Sequence, residues 1–251
     1  MRAMSAEVLP GCEPFSHAGS AHGVLVLHGF TGNPTSMRPL AEAAAAAGYS
    51  VELPRLPGHG TAVEDMVATR FEDWLGEADA AYGRLAARGG RVAVVGLSMG
   101  GTLAVRLAET RAVAGAALIN PLVKTSPETL EGIAQLLEAG LVSVEAIGSD
   151  IKREGTRELS YDATPLASAQ SLFGALADVE ADLARVTCPV LLLSSREDHV
   201  VPPENGDLLA ARVTGPLERV WLENSFHVAT LDNDRDLVEA AVTAFLARVL
   251  A

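Results

Sequence analysis

The sequence predicts an α/β fold, a mostly parallel sheet with helices on both faces. Three observations lead there. Short apolar runs alternate with helical patterns along most of the chain. The runs are too continuously apolar for strands with one wet face, as expected of a sheet covered on both sides. One central stretch breaks the alternation and reads as an insertion. A chain of 251 residues suits one large α/β domain carrying a modest insertion.

The elements follow in order. "GVLVLHG" (23–29) reads as a buried strand ending in a glycine turn, and "TSMRPLAEAAAAAGY" (35–49) as an alanine-rich helix stopped at Gly48. "SVEL" (50–53) is the next strand, and Pro54 and Pro57 break "PRLPGHGT" into a loop. A helix over roughly 70–88 leads to the strand "RVAVVG" (91–96). The helix "MGGTLAVRLAET" and the strand "AVAGAALIN" (112–120) follow. After Pro121 the rhythm changes, with helical patterns but no convincing buried strand to about 175. Alternation returns with "CPVLLLSS" (188–195), a helix near 203–212, "LERVWL" (217–222) and a terminal helix from about 234. The expected organisation is therefore a core of residues 1–120 and 176–251, with residues 121–175 inserted as a cap over one end of the sheet.

Composition narrows the function. Apolar residues make up 49 % and aromatics only 4 %, so the core is built mostly from Leu, Val and Ala. A net charge of −13 argues against nucleic acid, whose phosphates repel such a chain, and against anionic membrane surfaces. Cys12 and Cys188 are too few for a disulfide framework and fit a reducing compartment. The start, "MRAMSAEVLPGCEPF", lacks the apolar core of a signal peptide, and no run approaches a membrane span. The expectation is a soluble cytoplasmic protein. The cysteines make no metal-ligand pattern and no His-x-x-x-His pair occurs, so no metal is expected.

The chemistry starts at "VVGLSMGG" (94–101). Ser98 lies directly after a strand and before a helix, the context in which Gly-x-Ser-x-Gly is a nucleophile elbow. A Cβ at Gly96 or Gly100 would crowd so tight a turn. The amide after the serine falls at a helix N-terminus, where developing negative charge is favoured. A serine hydroxyl needs a base. His227, in "ENSFHVATLD", follows a strand and precedes the terminal helix, which puts it at the same sheet edge. His59, in "LPGHG", is a weaker candidate, and His17 and His22 precede the first clear strand. The base needs an acid to fix its tautomer, and Asp198 in "SSREDHVVPP" sits just past a strand, flanked by Glu197 and His199. The order Ser98, Asp198, His227 is that of the α/β-hydrolases and differs from chymotrypsin and subtilisin. "LHGFTG" (27–32) follows an early strand, and its amide at Phe30 can join that of Met99 as an oxyanion hole. His28 then supports this loop and is no second base.

From end to end the chain resembles the α/β-hydrolases of the bacterial monoacylglycerol lipase and carboxylesterase group. The similar stretches are "HGFTGNPTSMRPLAEA", "LPGHGTAVEDM", "GLSMGGTL", "IGSDIK", "DHVVPP" and "FHVATLD". The resemblance implies a triad of Ser98, Asp198 and His227 and oxyanion amides on Phe30 and Met99. It further implies an eight-stranded, mostly parallel sheet, a small cap between the sixth strand and the next helix, and no cofactor. It assigns Glu158, in "REGTRELSYDATP" (153–165), to the glycerol hydroxyls and Ile147 to the wall of the pocket.

In the cap, "LEGIAQLLEAGLVSVEAIG" (130–148) spaces Leu130, Ile133, Leu136, Leu137, Leu141, Val144 and Ile147 as an apolar helical stripe. The stripe is an acyl-chain tunnel or lipid-touching lid, or it is the cap's own packing against the core. The resulting expectation is a serine hydrolase that cleaves monoacylglycerols to glycerol and fatty acid. Its rivals are a general carboxylesterase for short or medium acyl esters, and a catalytically silent hydrolase fold that only binds ligands.

Overall fold

The computed structural model describes residues 7–251; residues 1–6, which belong to the stretch read above for a leader and to the expected core, lie outside the described residues. In chain order the elements are β1 (Phe15–His17), β2 (Gly23–Leu27), α1 (Arg38–Ala46), β3 (Ser50–Leu53), α2 (Val63–Val67) and α3 (Phe71–Ala86). They continue with β4 (Val92–Leu97), α4 (Met99–Thr110), β5 (Ala116–Ile119), α5 (Pro127–Glu138), β6 (Ser143–Glu145) and β7 (Ala163–Pro165). The chain closes with α6 (Leu166–Asp182), β8 (Val190–Ser195), α7 (Glu204–Arg212), β9 (Leu217–Leu222) and α8 (Arg235–Val249).

The main sheet runs β1-β3-β2-β4-β5-β8-β9. Only β1 is antiparallel, pairing Ser16 with Glu52; every other pair is parallel, with Val24 opposite Ala93 and Ala116 opposite Val190. Side chains on the strands alternate between two cores. Leu25, Leu27, Val94 and Leu118 pack under α3, α4 and α6, whereas Val24, Val26, Val95 and Ile119 pack under α1 and α8. This two-faced burial is why the strands read as unbroken apolar runs.

Two expectations are corrected. The sheet has seven strands among the described residues, not eight. Residues 7–14, before β1, do not extend it, because Pro10, Gly11 and Pro14 interrupt them and the Cys12 amide turns back to the Leu9 carbonyl at 2.9 Å. Nor is 130–148 one helix. α5 ends at Glu138, Gly140 takes φ +83°, and the β-branched "LVSVE" that follows forms β6, paired antiparallel with β7. Val144 and Ile147 therefore lie on and beyond a hairpin strand, not on a helical face.

The segment from Asn120 to Pro165 adds no strand to the main sheet, and α6 carries the chain back to β8. Among the described residues no helix is long and apolar enough to cross a membrane. The strand order reverses direction between β2 and β4, because β2 leads outward to β3 on one side and β4 leads to β5 on the other. Ligands of open α/β sheets bind outside the carboxyl ends of the strands at such a switch point. Here those ends lead into His28–Gly32 and Ser98.

Candidate active site

At the end of β4 the backbone makes the turn that the glycines anticipate. Ser98 has φ 56° and ψ −119°, a left-handed-side conformation that costs a non-glycine residue about 1–3 kcal/mol. Its amide donates to the Ile119 carbonyl at 3.0 Å, and its carbonyl accepts from Thr102 at 3.1 Å, so strand and helix both clamp it. A Cβ on Gly96 would fall 2.1 Å from the Gly100 carbonyl oxygen, and one on Gly100 would fall 2.2 Å from that of Leu27. Both positions therefore demand glycine. Ser98 is only 9 % exposed and lines a cavity that His227 also lines.

His227 reaches the same cavity from the loop after β9. Its Nδ1 lies 2.8 Å from Oδ2 of Asp198, and both side chains are buried. The other Asp198 oxygen accepts the amides of Val200 (2.9 Å) and Val201 (2.7 Å), which fixes the carboxylate in place. With Nδ1 engaged by the acid, Nε2 is the ring nitrogen left for a partner in the cavity that Ser98 also lines. Two residues that the sequence reading passed over hold the His227 peptide. Asn120 Nδ2 donates to its carbonyl at 2.8 Å, and its amide donates to Asp150 Oδ2 at 3.0 Å. Asn120 had one visible signal: an amide side chain at the carboxyl end of a buried strand.

The loop after β2 lies against the serine, since a Cβ on Gly29 would sit 3.5 Å from Ser98 Cβ. Phe30 lines the cavity and packs edge-on against Trp74 and His59. Met99 is the first residue of α4, with its side chain fully buried in the core, so its amide stands at the helix N-terminus beside Ser98. His28 is fully buried; its Nδ1 donates to the Gly29 carbonyl at 3.0 Å and its Nε2 accepts from the Leu56 amide at 3.2 Å. Burial, reinforced by His59, drives its pKa well below the usual histidine range. This histidine supports the loop, as expected.

The cavity, about 300 Å³, is walled by Val144, Leu172, Phe173 and Val201, with Ser98, His227, Asp150 and Glu158 among the polar residues that line it. Ile147 is 74 % exposed and stands at its rim. The Glu158 carboxyl is enclosed, although the residue as a whole is partly exposed. Burial raises its pKa, while the nearby His227 and a hydrogen bond with Ser36 pull it back. The irregular segment around it is pinned to the loop after β2: Asn33 donates to the Leu159 carbonyl, and the Tyr161 amide donates to the Thr31 carbonyl at 3.1 Å. A larger concavity, about 710 Å³, lies at the opposite, amino-terminal end of the strands among Arg91, Pro189 and Phe245, far from this chemistry.

Comparison with known proteins agrees with this architecture. The sequence pattern of the alpha/beta hydrolase family matches residues 24–241. The chain belongs to the alpha/beta hydrolase family. Within it, the chain is 45 % identical over 243 residues to the thermostable monoacylglycerol lipase of Bacillus sp. (strain H-257), covering 96 % of each chain. It is 30 % identical over 241 residues to a carboxylesterase of Bacillus subtilis (strain 168), covering 94 % of this chain and 97 % of that one. A solved structure described under LipS and LipT, two metagenome-derived lipolytic enzymes, superposes with a TM-score of 0.92 at 46 % identity, covering 96 % of this chain and all of that one. This alpha/beta hydrolase is thus related over nearly its full length to carboxylic ester hydrolases.

Proposed function

We propose that this protein hydrolyses monoacylglycerols to glycerol and fatty acid through an acyl-enzyme on Ser98. The observation that carries the reading is the buried Asp198–His227 pair opening, with Ser98, into one apolar cavity that also holds a carboxyl group. His227 Nε2 takes the Ser98 proton as Oγ attacks the ester carbonyl. The amides of Phe30 and Met99 hold the oxyanion, a role in which losing one donor costs about 2.7–4 kcal/mol. His227 then protonates the departing glycerol oxygen. Water, deprotonated by the same imidazole, attacks the acyl-enzyme and releases the fatty acid.

The acyl chain belongs against Val144, Leu172 and Phe173, with Ile147 shaping the mouth. Glu158 is suited to read two glycerol hydroxyls, because an enclosed carboxyl group needs polar partners. Residues 121–175 act as the cap, and the exposed Leu141, Val142 and Ile147 support brief contact with a lipid surface. The free thiols Cys12 and Cys188 fit a cytoplasmic setting. The 30 % relative named as a carboxylesterase favours a second reading, a general esterase for short or medium acyl chains.

Purified protein assayed on monoacylglycerols, diacylglycerols and simple esters of matched chain length, beside Ser98→Ala, tests both. A clear preference for monoacylglycerols with an inactive Ser98→Ala supports the first reading. Equal rates on simple esters favour the second. Near-native turnover by Ser98→Ala removes both.

A further inference from the structure

We propose that Asp150 is a positioning residue for the catalytic histidine, through which the cap sets the geometry of the acid and base loops. The inference rests on the serine-hydrolase reading above.

Asp150 lies between the two strands of the cap hairpin, yet its side chain is only 12 % exposed and reaches the cavity wall. Oδ2 accepts two amides from different loops, that of His227 at 3.0 Å and that of His199 at 3.2 Å. Oδ1 lies 2.8 Å from His199 Nδ1, and the Asp150 carbonyl accepts the Val228 amide at 3.1 Å. One residue therefore grips the base loop at two consecutive amides and the acid loop at two atoms of His199.

The grip matters because of what adjoins it. His199 is flanked by Asp198, which holds the His227 ring, and by Val200, whose amide holds Asp198. On the far side, Asn120 fixes the His227 carbonyl. Between Asn120 and Asp150 both backbone polar groups of His227 are held, one on each of the two peptide planes that meet at its Cα, so its ring hangs from a fixed backbone. Remove the carboxylate, and the half-buried His227 amide and the more exposed His199 amide lose their acceptor while both loops lose their common anchor. The imidazole then samples positions off the line to Ser98 Oγ, and misplacement of about 1 Å can cost on the order of 100-fold in rate.

The test compares Asp150→Ala and Asp150→Asn with the parent enzyme on p-nitrophenyl butyrate. Rates are normalised to folded protein by circular dichroism and to reactive serine by titration with a fluorophosphonate. Asp150→Ala should lose about 10- to 100-fold in kcat with KM within twofold. Asp150→Asn keeps an acceptor oxygen for the His227 amide and should recover most of the loss. Unchanged kcat in Asp150→Ala overturns the inference, as does a loss confined to KM, which would mark a substrate contact. A loss that vanishes on normalisation to folded protein overturns it too, since the role would then be structural only. Ser98→Ala is run alongside: if it is dead while Asp150→Ala is fully active, this inference alone fails, and if it is active the parent reading fails with it.

Discussion

Asp198 Oδ2 stands 2.8 Å from His227 Nδ1, while its partner oxygen is spent on the amides of Val200 and Val201. The carboxylate has no freedom to rotate away, so it dictates which imidazole nitrogen carries the proton. Asp198→Asn preserves the shape but offers an amide that can present N–H to Nδ1 and select the wrong tautomer. We expect kcat to fall by roughly 10³- to 10⁴-fold with KM little changed. Steady-state kinetics on a soluble ester, with circular dichroism to show an intact fold, checks this.

The elbow makes a prediction about stability rather than rate. Gly96→Ala forces a Cβ to within 2.1 Å of a backbone oxygen that cannot step aside. Overpacking of this kind costs about 1–3 kcal/mol or more, which lowers Tm by roughly 5 °C or abolishes soluble expression. Gly83 in α3 is the contrast, with nothing within 4 Å of its added Cβ. Gly83→Ala should raise stability by about 0.5–1 kcal/mol through helix propensity. Thermal melts of the two variants should move in opposite directions.

The parts of the molecule legible in the sequence are those whose signal is local. The central strands β2, β4, β5 and β8 announce themselves because each is buried on both faces, and Ser98 and Asp198 follow two of them, whereas His227 follows the half-buried β9. β1 escaped notice because a three-residue edge strand, mostly exposed, carries no period. The cap misled because Leu130 to Ile147 hold a helical spacing that Gly140 and the following β-branched residues override. Asp150 and, apart from its place at a strand end, Asn120 were hard to read for a different reason. Each acts on backbone atoms of His227, 77 and 107 positions away, and no side-chain pattern records such a bond. Glu158 entered through family resemblance alone, and its enclosure could not be read from a charged stretch.

That enclosure supplies a specificity test that leaves the triad untouched. An added Cβ on Gly32 would lie 2.9 Å from Glu158 Oε1 and 3.5 Å from the Gly29 carbonyl oxygen. Position 32 is therefore a seat for the carboxyl group, with the Ser36 hydrogen bond as its other support. Gly32→Ala should push Glu158 out of that seat. We expect kcat/KM for a monoacylglycerol to drop about tenfold, the worth of one hydrogen bond to a charged group, while a methyl ester of the same acyl chain changes less than twofold. An equal fall on both substrates would mean that the seat serves the loop after β2 instead.

The support behind the loop after β2 predicts how the enzyme fails in acid. His59 is fully buried, stacks edge-on against His28 at 5.0 Å and Trp74 at 5.6 Å, and donates from Nδ1 to the Pro57 carbonyl at 3.0 Å. Burial lowers its pKa from 6.5 to about 4, and His28 is shifted in the same direction. Both are neutral in the folded protein near pH 7, whereas in the unfolded chain they take up protons once the pH falls below about 6.5. Stability from this pair is thus complete above pH 6.5 and is lost as the pH drops towards 4. For His59 alone, the interval from 6.5 to about 4 at 1.36 kcal/mol per pH unit amounts to roughly 3 kcal/mol. His59→Gln removes the titration, and its Nε2 has no hydrogen-bond partner to lose. Whatever its stability at pH 7.5, this variant should show a shallower fall of Tm between pH 6.5 and 4 than the parent. Parallel Tm curves for the two proteins would mean that His59 is solvated in solution and that the loop rests on something else.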